Sequence, residues 1–278
     1  MSVAKAPAPE RTAPRATSSG TFRALLMRDL NVLRKNLFEF VIRSVMQPLL
    51  FVFVFTYVFP KIGLGVGGNK EAATFSSLLV PGVVAIACMF QGVQAVALPL
   101  VTEFGFTREI EDRVMAPLSI SGVAIEKIAA GGIQGIIAAV VVFPLAAFIP
   151  ATSVDLHVQW ALLLTLLPLT AITGATLGLV MGTQVDPRKV PLLFGIVIIP
   201  LTFLGATYYP WGLLEPIRWL QIIVLVNPLV YMSEAMRASL TPQLAPHMQT
   251  WVIYVALIGF NIVLGYIGIR GFRKRVLS

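Results

Sequence analysis

Long stretches of this chain carry no charged side chain, and their lengths predict its main structural elements. No Asp, Glu, Lys or Arg occurs in residues 44–60, 72–102, 128–154, 156–185, 190–214 or 238–269. A helix rises about 1.5 Å per residue, so about 20 mostly apolar residues cross the hydrocarbon core of a bilayer. The pattern therefore predicts six membrane-spanning helices. We place them near residues 38–59, 78–101, 123–149, 158–183, 190–209 and 250–269.

The composition agrees with an all-α integral membrane protein. Hydrophobic residues make up 57% of the chain and charged residues only 12%, with a mean hydropathy of +0.84. Soluble domains usually carry about 25% charged residues, so this chain has too little polar surface for a soluble fold. The single cysteine, Cys88, lies in an apolar run, and neither a disulfide framework nor a cysteine metal site is expected.

The net charge of +8 has a distribution that indicates topology. With alternate loops assigned to opposite sides, one side has 16 Lys and Arg residues and the other has four, while Arg43 lies inside the first span. The positive-inside rule then places both termini of this multi-pass protein in the cytoplasm. The basic excess therefore gives no reason to expect a nucleic-acid partner.

Glu39 and Arg43 are four residues apart at the start of the first span and are expected to pair.

The N-terminal region divides into two parts. Residues 1–20 are rich in Ala, Pro, Arg and Ser and are expected to form a disordered tail. Residues 21–37 have the apolar spacing of an amphipathic helix that lies in the membrane interface, before the six-span domain of residues 38–278. The apolar face of that helix comprises Phe22, Leu25, Leu26, Leu30 and Leu33.

Residues that carry catalysis or ion coupling are scarce. The chain has two histidines, His157 and His247, and no GxxxxGK[ST] phosphate-binding loop. We predict no catalytic residue and no metal site, and energy for transport would have to come from another polypeptide. Ion-coupled carriers usually keep an acidic or His residue at mid-membrane, which disfavours that alternative without excluding it. A lipid-modifying membrane enzyme is a further alternative, for which only Asp155 and His157 qualify.

The loop between the second and third predicted spans has the densest charge in the chain. Arg108–Met115 has room for two helical turns, which Pro117 would end. A short helix of mixed charge suits docking into the surface of another protein. An ordinary solvated loop remains the alternative.

A second informative segment is Pro210–Ser239. Its charge-free run Trp219–Ser233 has 15 residues, which is too short to cross a bilayer comfortably. Pro210, Pro216 and Pro228 break the segment, so short helices that dip into the outer leaflet and return are expected. The alternative is a surface loop in which Trp211, Trp219 and Tyr231 are interface anchors.

Three motifs carry a resemblance to a known family. They are FxxLLVPG at Phe75–Gly82, TREIEDRVMAPLS at Thr107–Ser119, and the run Phe203–Arg237 that contains Asn-Pro-Leu-x-Tyr. With six spans and cytoplasmic termini, the chain from about residue 21 onwards resembles ABC-2 type permeases. These are membrane subunits of bacterial ATP-binding-cassette exporters of drugs, including those for antibiotic resistance, and of polysaccharides.

The resemblance implies partners and roles. Two permease copies, in a homodimer or a heterodimer, would assemble in membrane lipid with two copies of an ATPase, which would bind ATP and Mg; this chain would bind no cofactor. Transport of a drug, lipid or glycan would run outward. The residues that would couple to the ATPase are Arg108, Glu109, Glu111, Asp112, Arg113 and Met115. The pathway residues, chosen by residue type and span, are Phe90, Gln91, Gln94, Phe203, Tyr208 and Tyr209. The outer gate would comprise Trp211, Trp219, Asn227 and Pro228.

Overall fold

A computed structural model of the chain describes residues 18–62, 69–107, 118–150, 154–185, 189, 194–244 and 247–277. All the regular secondary structure in these ranges is helical. The α-helices are α1 (Ser18–Lys35), α2 (Leu37–Val52), α3 (Asn69–Thr102), α4 (Ile120–Phe148), α5 (Trp160–Gln184), α6 (Ile199–Phe203), α7 (Arg218–Ile223), α8 (Pro228–Leu240) and α9 (Thr250–Val276).

Short helical segments of other types extend several of these helices. A π-helical segment, Phe53–Val58, and a last turn, Phe59–Lys61, continue α2, and the π-helical segment Glu103–Thr107 continues α3. A third π-helical segment, Phe194–Ile198, leads into α6. The 3-10 turns Trp211–Leu214 and Val224–Val226 lie on either side of α7.

Five helices in the described ranges are long and apolar enough to cross a bilayer. They are Leu37–Val58, Phe75–Gly105, Ile120–Phe148, Trp160–Gln184 and Thr250–Val276. They coincide with five of the six predicted spans, and the last runs seven residues further, to Val276 instead of Ile269. The pair Arg218–Val226 and Pro228–Leu240 is bent by 98° and makes a sixth crossing only if the two helices form one broken span. The protein is thus an all-α multi-pass membrane protein.

The predicted fifth span, residues 190–209, differs from the structure at its end. Residues 190–193 lie outside the described ranges, and the helix formed by the next residues ends at Phe203. The chain then forms turns, in which Ala206 has a positive φ of 50°. A continuous helix to Tyr209 is therefore wrong, because an L-residue with positive φ cannot continue a right-handed helix.

The helix α3 lies at the centre of the bundle. It packs most extensively against α4 and α5 and also against α8. Small residues allow the close approach of these helices. A Cβ on Gly178 of α5 would lie 2.6 Å from the carbonyl oxygen of Val93 in α3, which leaves room only for glycine. In contrast, α2 and α9 leave many large apolar side chains exposed, as expected of surfaces that face lipid or another subunit.

The helix α1 starts at Ser18, earlier than the sequence predicted, and packs mainly against α4. Its half-buried side chains include all five of the predicted apolar face, whereas its arginines and lysine are exposed. Below, the end of the bundle next to α1 is called the α1 side. The opposite end is called the α8 side, because there α8 receives backbone hydrogen bonds from His157 and Gln159 just before α5.

Candidate functional site

Two buried charges and one half-buried charge meet on the α1 side of the bundle. Lys127 of α4 is 3% exposed, and its Nζ lies 2.9 Å from Oε1 of Glu103 and 3.2 Å from Oδ2 of Asp29 in α1. These three residues are called the Lys127 cluster. Because a buried charge is costly without a partner of opposite sign, the cluster fixes α1, α4 and the end of α3 relative to one another.

The Lys127 cluster also anchors the loop for which coupling was predicted. All six predicted coupling residues, Arg108 to Met115, lie outside the described residues. The flanks of the loop are described: Glu103 opens the π-helical segment before it, and α4 follows it. The first turn of α4 is capped by Ser119, whose Oγ accepts a hydrogen bond from the backbone N–H of Gly122 at 3.0 Å. Both flanks are thereby joined to α1 through Lys127.

A cavity of about 510 Å³ opens beside this cluster and is called the wide cavity. Residues of α1, α2, α3 and α4 line it, and all three members of the Lys127 cluster are among them. Glu39 and Arg43 also line the wide cavity. The expected ion pair between these two residues does not form in the structure, where the Lys127 cluster supplies the ion pairs of this wall.

Two smaller cavities continue from the wide cavity toward the α8 side. The middle cavity, of about 10 Å³, shares Arg43 and Gln94 with the wide cavity. The upper cavity, also of about 10 Å³, shares Pro48 and Ile86 with the middle cavity and reaches Tyr208. Since neighbouring cavities share lining residues, the three form a series in the groove between α2 and α3. The series is wide on the α1 side and nearly closed beyond Arg43.

Amide side chains cross this groove where it narrows. The Oγ of Ser44 lies 2.8 Å from Oε1 of Gln91, and Nε2 of Gln91 donates to Oε1 of Gln134 at 3.4 Å. Ser44, Gln91 and Gln134 come from α2, α3 and α4 respectively. Polar side chains inside membrane helices are costly and usually mark a binding site or a polar path, so this strip belongs to the candidate site.

The structure brings only some of the predicted pathway residues together. Phe90, Gln91 and Gln94 line the middle cavity, and Tyr208 lines the upper one. Phe203 packs on Tyr208 with ring centroids 5.9 Å apart, and the hydroxyl of Tyr209 donates to the carbonyl of Phe203 at 3.2 Å. Phe203 therefore contacts Tyr208, and Tyr209 contacts Phe203. Neither Phe203 nor Tyr209 lines any of the three cavities described here.

Sequence reasoning missed the contribution of the first span. Arg43, Ser44 and Pro48 of α2 line the groove, whereas the path was expected along the second and fifth spans. Arg43 gave the one usable signal, because an ionisable residue inside an apolar helix is a functional candidate. From the sequence, Arg43 was instead expected to pair with Glu39.

A second buried ion pair organises the α8 side. Glu234 and Arg237, one turn apart in α8, are 0% and 1% exposed, and Nη1 of Arg237 lies 2.8 Å from Oε1 of Glu234. Arg237 also donates from Nη2 to the carbonyls of Ala206 at 2.5 Å and Thr207 at 3.0 Å. It thereby holds the left-handed turn after α6.

Glu234 extends the same network to two further segments. Its Oε1 accepts from the backbone N–H of Trp211 at 2.9 Å, and its Oε2 accepts from the backbone N–H of Met248 at 2.9 Å. From the sequence, Arg237 was named only as the last residue of the motif Phe203–Arg237, and Glu234 was not singled out. Their burial is a tertiary feature, since the groups they satisfy lie between 14 and 31 residues away in the chain.

Three of the four predicted gate residues have structural contacts. Asn227 caps α8, accepting at Oδ1 from the N–H of Leu229 at 2.9 Å, and donates from Nδ2 to the carbonyl of Leu201 at 2.7 Å. Pro228 is the buried first residue of α8. Trp211 donates from Nε1 to the carbonyl of Gln221 at 3.0 Å, whereas Trp219 is 65% exposed.

The segment after α6, residues 204–240, folds back on itself and is called the folded-back element. It packs tightly on α3. An added Cβ on Gly82 of α3 would lie 2.0 Å from the carbonyl oxygen of Thr207, the same oxygen that Arg237 binds. The VPG sequence at the start of the second span therefore provides the backbone contact on which the turn after α6 rests.

The pair considered for an enzymatic alternative is exposed. Nδ1 of His157 lies 3.3 Å from Oδ1 of Asp155, with the side chains 54% and 64% exposed. A catalytic pair is expected in a cleft that positions substrate and excludes water, and these two side chains face outward instead. Within the described ranges, no group of three His, Cys, Asp or Glu residues is placed to hold a metal ion.

Known proteins place this architecture in one class, the multi-pass transport permeases. The profile of the ABC-2 type transporter family matches residues 20–241, and the chain belongs to that family. The inner membrane transport permease YadH of Escherichia coli K12 is 24% identical over 199 residues, which are 70% of this chain and 75% of YadH. The Shigella flexneri protein of the same name matches with the same figures.

Family membership fixes the coarse function. The chain is a membrane subunit of an ABC transporter, a multi-pass protein of the inner membrane and a transport subunit rather than a catalytic enzyme. The family as a whole works with a partner ATP-binding subunit.

Proposed function

We propose that this chain is the permease of an ATP-driven exporter that moves an amphiphilic drug, lipid or glycan out of the cell. Two copies of it would assemble with two copies of a separate ATPase, which holds ATP and Mg. One observation carries the proposal: Asp29, Glu103 and Lys127 join α1 to the segments on either side of residues 108–117 and also form part of the wall of the wide cavity. A force applied to the loop therefore reaches the cavity through direct contacts.

The orientation follows from charge. The basic residues of α1 are exposed on the α1 side, and the positive-inside rule assigns that side to the cytoplasm. The wide cavity then opens toward the cytoplasm, and its narrowing beyond Arg43 describes a state closed to the outside. The helices α6 to α8 close the exit on the outer side.

The coupling step is a rigid-body movement. Closure of the ATPase dimer would push on residues 108–115, and the π-helical segment before the loop and α4 after it would move together with α1, because Lys127 joins all three. Movement of α3 relative to α2 would open the groove beyond Arg43, as in other hinge and shear transitions. ATP drives this change only by binding more tightly to one of the two states.

Charge reversal in the loop tests the coupling assignment. In the triple variant Glu109→Lys, Glu111→Lys, Arg113→Glu, the Kd for the partner ATP-binding-cassette ATPase is expected to rise at least about tenfold, because charge pairs across interfaces are worth about 1.5–7 kcal/mol. Biolayer interferometry on the purified full-length permease measures that Kd. The thermal unfolding midpoint should stay unchanged.

A matched control has the same change in net charge on the other side of the membrane. It reverses three exposed residues, Asp155→Lys, Glu215→Lys and Lys61→Glu. This control should bind the ATPase as the parent does. An unchanged Kd in the loop variant would show that the ATPase docks elsewhere.

A further inference from the structure

The charges that line the wide cavity balance one another. Its basic residues are Arg28, Arg43 and Lys127, and its acidic residues are Asp29, Glu39 and Glu103. Lys127 lies within 3.2 Å of two of these carboxylates, so the strongest pairing is at the α1 end of the cavity. A ligand in the wide cavity therefore meets both signs of charge.

The balance changes where the groove narrows. Of those six residues, only Arg43 also lines the middle cavity, and the other polar residues there, Ser44, Gln91 and Gln94, are neutral. A group that moves from the wide cavity toward the middle one thus passes from a wall with charges of both signs to one whose charged residue is Arg43. An anion is stabilised at this point and a cation is repelled.

Arg43 is available to a ligand. Within the described part of the chain it forms no ion pair with Glu39, although a spacing of four residues permits one. Its side chain is exposed toward the groove, and Gln94 lines the same two cavities. The planar guanidinium donates two parallel hydrogen bonds to a phosphate or a carboxylate, a geometry that an ammonium group cannot match.

The walls around Arg43 also carry apolar side chains. Phe40 and Leu98 line the wide cavity beside it, while Pro48, Ile86 and Phe51 line the smaller cavities beyond. A ligand that fills this groove therefore needs an apolar chain together with one compact polar group.

From these observations we infer that the substrate is an amphiphile with an anionic headgroup, a phosphate or a carboxylate, and that Arg43 binds this headgroup at the entrance to the middle cavity. The inference rests on the proposed function and names the substrate class of its path. Gln94 would orient the headgroup as a second hydrogen-bond donor.

The test is a binding measurement on the full-length permease in phosphatidylcholine nanodiscs. The probes are n-dodecyl phosphate and dodecyltrimethylammonium, measured by isothermal titration calorimetry with partition into empty nanodiscs subtracted. Arg43→Gln is expected to raise the Kd of dodecyl phosphate at least about tenfold, the effect of losing a charge-assisted bidentate contact. Arg43→Lys should retain part of the affinity, because it keeps the positive charge but loses the two parallel hydrogen bonds of the guanidinium.

Two controls define the result. Lys61→Gln removes an exposed basic residue on the α8 side and should leave the Kd of dodecyl phosphate unchanged. The cationic probe should bind at least about tenfold more weakly than the anionic one and should not weaken in Arg43→Gln. Equal affinity for both probes, or an Arg43→Gln variant that binds dodecyl phosphate as the parent does, would overturn the inference.

A competition arm identifies the source of the headgroup. If phosphatidylglycerol added to the nanodiscs raises the apparent Kd of dodecyl phosphate, the site takes membrane phospholipid. If it has no effect, the site takes a smaller anionic amphiphile. Both results support the headgroup chemistry. Because no ATPase is present, failure of this binding test leaves the coupling proposal standing, and failure of the ATPase to bind leaves the Arg43 result standing.

Discussion

Arg237→Met is expected to lower the free energy of unfolding by about 3–5 kcal/mol, the usual cost of removing one partner from a buried ion pair. The variant leaves the Glu234 carboxylate buried without its cation, and it leaves the carbonyls of Ala206 and Thr207 without their donor. Both losses fall on the turn after α6. The shift in the midpoint of SDS-induced unfolding measures the effect.

Two further variants separate this network from a general loss of positive charge. Arg218→Met also removes a basic residue from the folded-back element, but its side chain is exposed, and a change below about 1 kcal/mol is expected. The double variant Glu234→Leu, Arg237→Met removes both charges and should remain destabilised, because the N–H groups of Trp211 and Met248 would lose their acceptors. A double variant as stable as the parent would show that these backbone contacts contribute nothing.

Lys127→Met is expected to have an effect of similar size on the α1 side, about 3–5 kcal/mol. It would leave the carboxylates of Asp29 and Glu103 close together without the ammonium between them, and like charges in a buried site repel. The same unfolding assay applies. In addition, limited proteolysis should cut α1 faster, because its ion-pair anchor to α4 is gone.

The control for this variant is Lys35→Met, which removes an exposed lysine from α1, the helix that Lys127 contacts through Asp29. Its stability should stay within about 0.5 kcal/mol of the parent. Addition of Asp29→Asn and Glu103→Gln to Lys127→Met should recover part of the loss, because the repelling charges are removed. No recovery would mean that packing of the Lys127 stem, and not charge, holds the three elements together.

The parts of the fold that sequence could predict are those decided by local composition. The charge-free runs 72–102, 128–154, 156–185 and 238–269 correspond to helices α3, α4, α5 and α9, because any segment that apolar must leave water. The run 190–214 is as apolar as the others, yet its helix ends at Phe203. The turn that follows is held by hydrogen bonds from Arg237 to two carbonyls, and no local pattern within 190–214 reveals those bonds.

The candidate site was harder to predict for the same reason. Phe90, Gln91 and Gln94 were chosen by residue type on one helix, and they face the groove. The opposite wall is formed by Arg43, Ser44 and Pro48, and which face of α2 meets α3 depends on tertiary packing. Charges followed a similar rule: Glu234 and Lys127 look like ordinary surface residues in the sequence, and only their distant partners show that they are buried.

The most direct test of the central claim is ATP-driven movement of a labelled amphiphile in proteoliposomes. The full-length permease and its partner ATPase would be reconstituted with a panel of NBD-labelled amphiphiles with anionic, zwitterionic and cationic headgroups. Dithionite quenching reports which leaflet each probe occupies.

If the chain is the permease of an ATP-driven exporter, ATP should move at least one probe away from the leaflet next to the ATPase. This movement should stop when the ATPase is omitted or replaced by a hydrolysis-defective variant. Movement by the permease alone, driven by an ion gradient and unaffected by ATP, would contradict ATP-driven export.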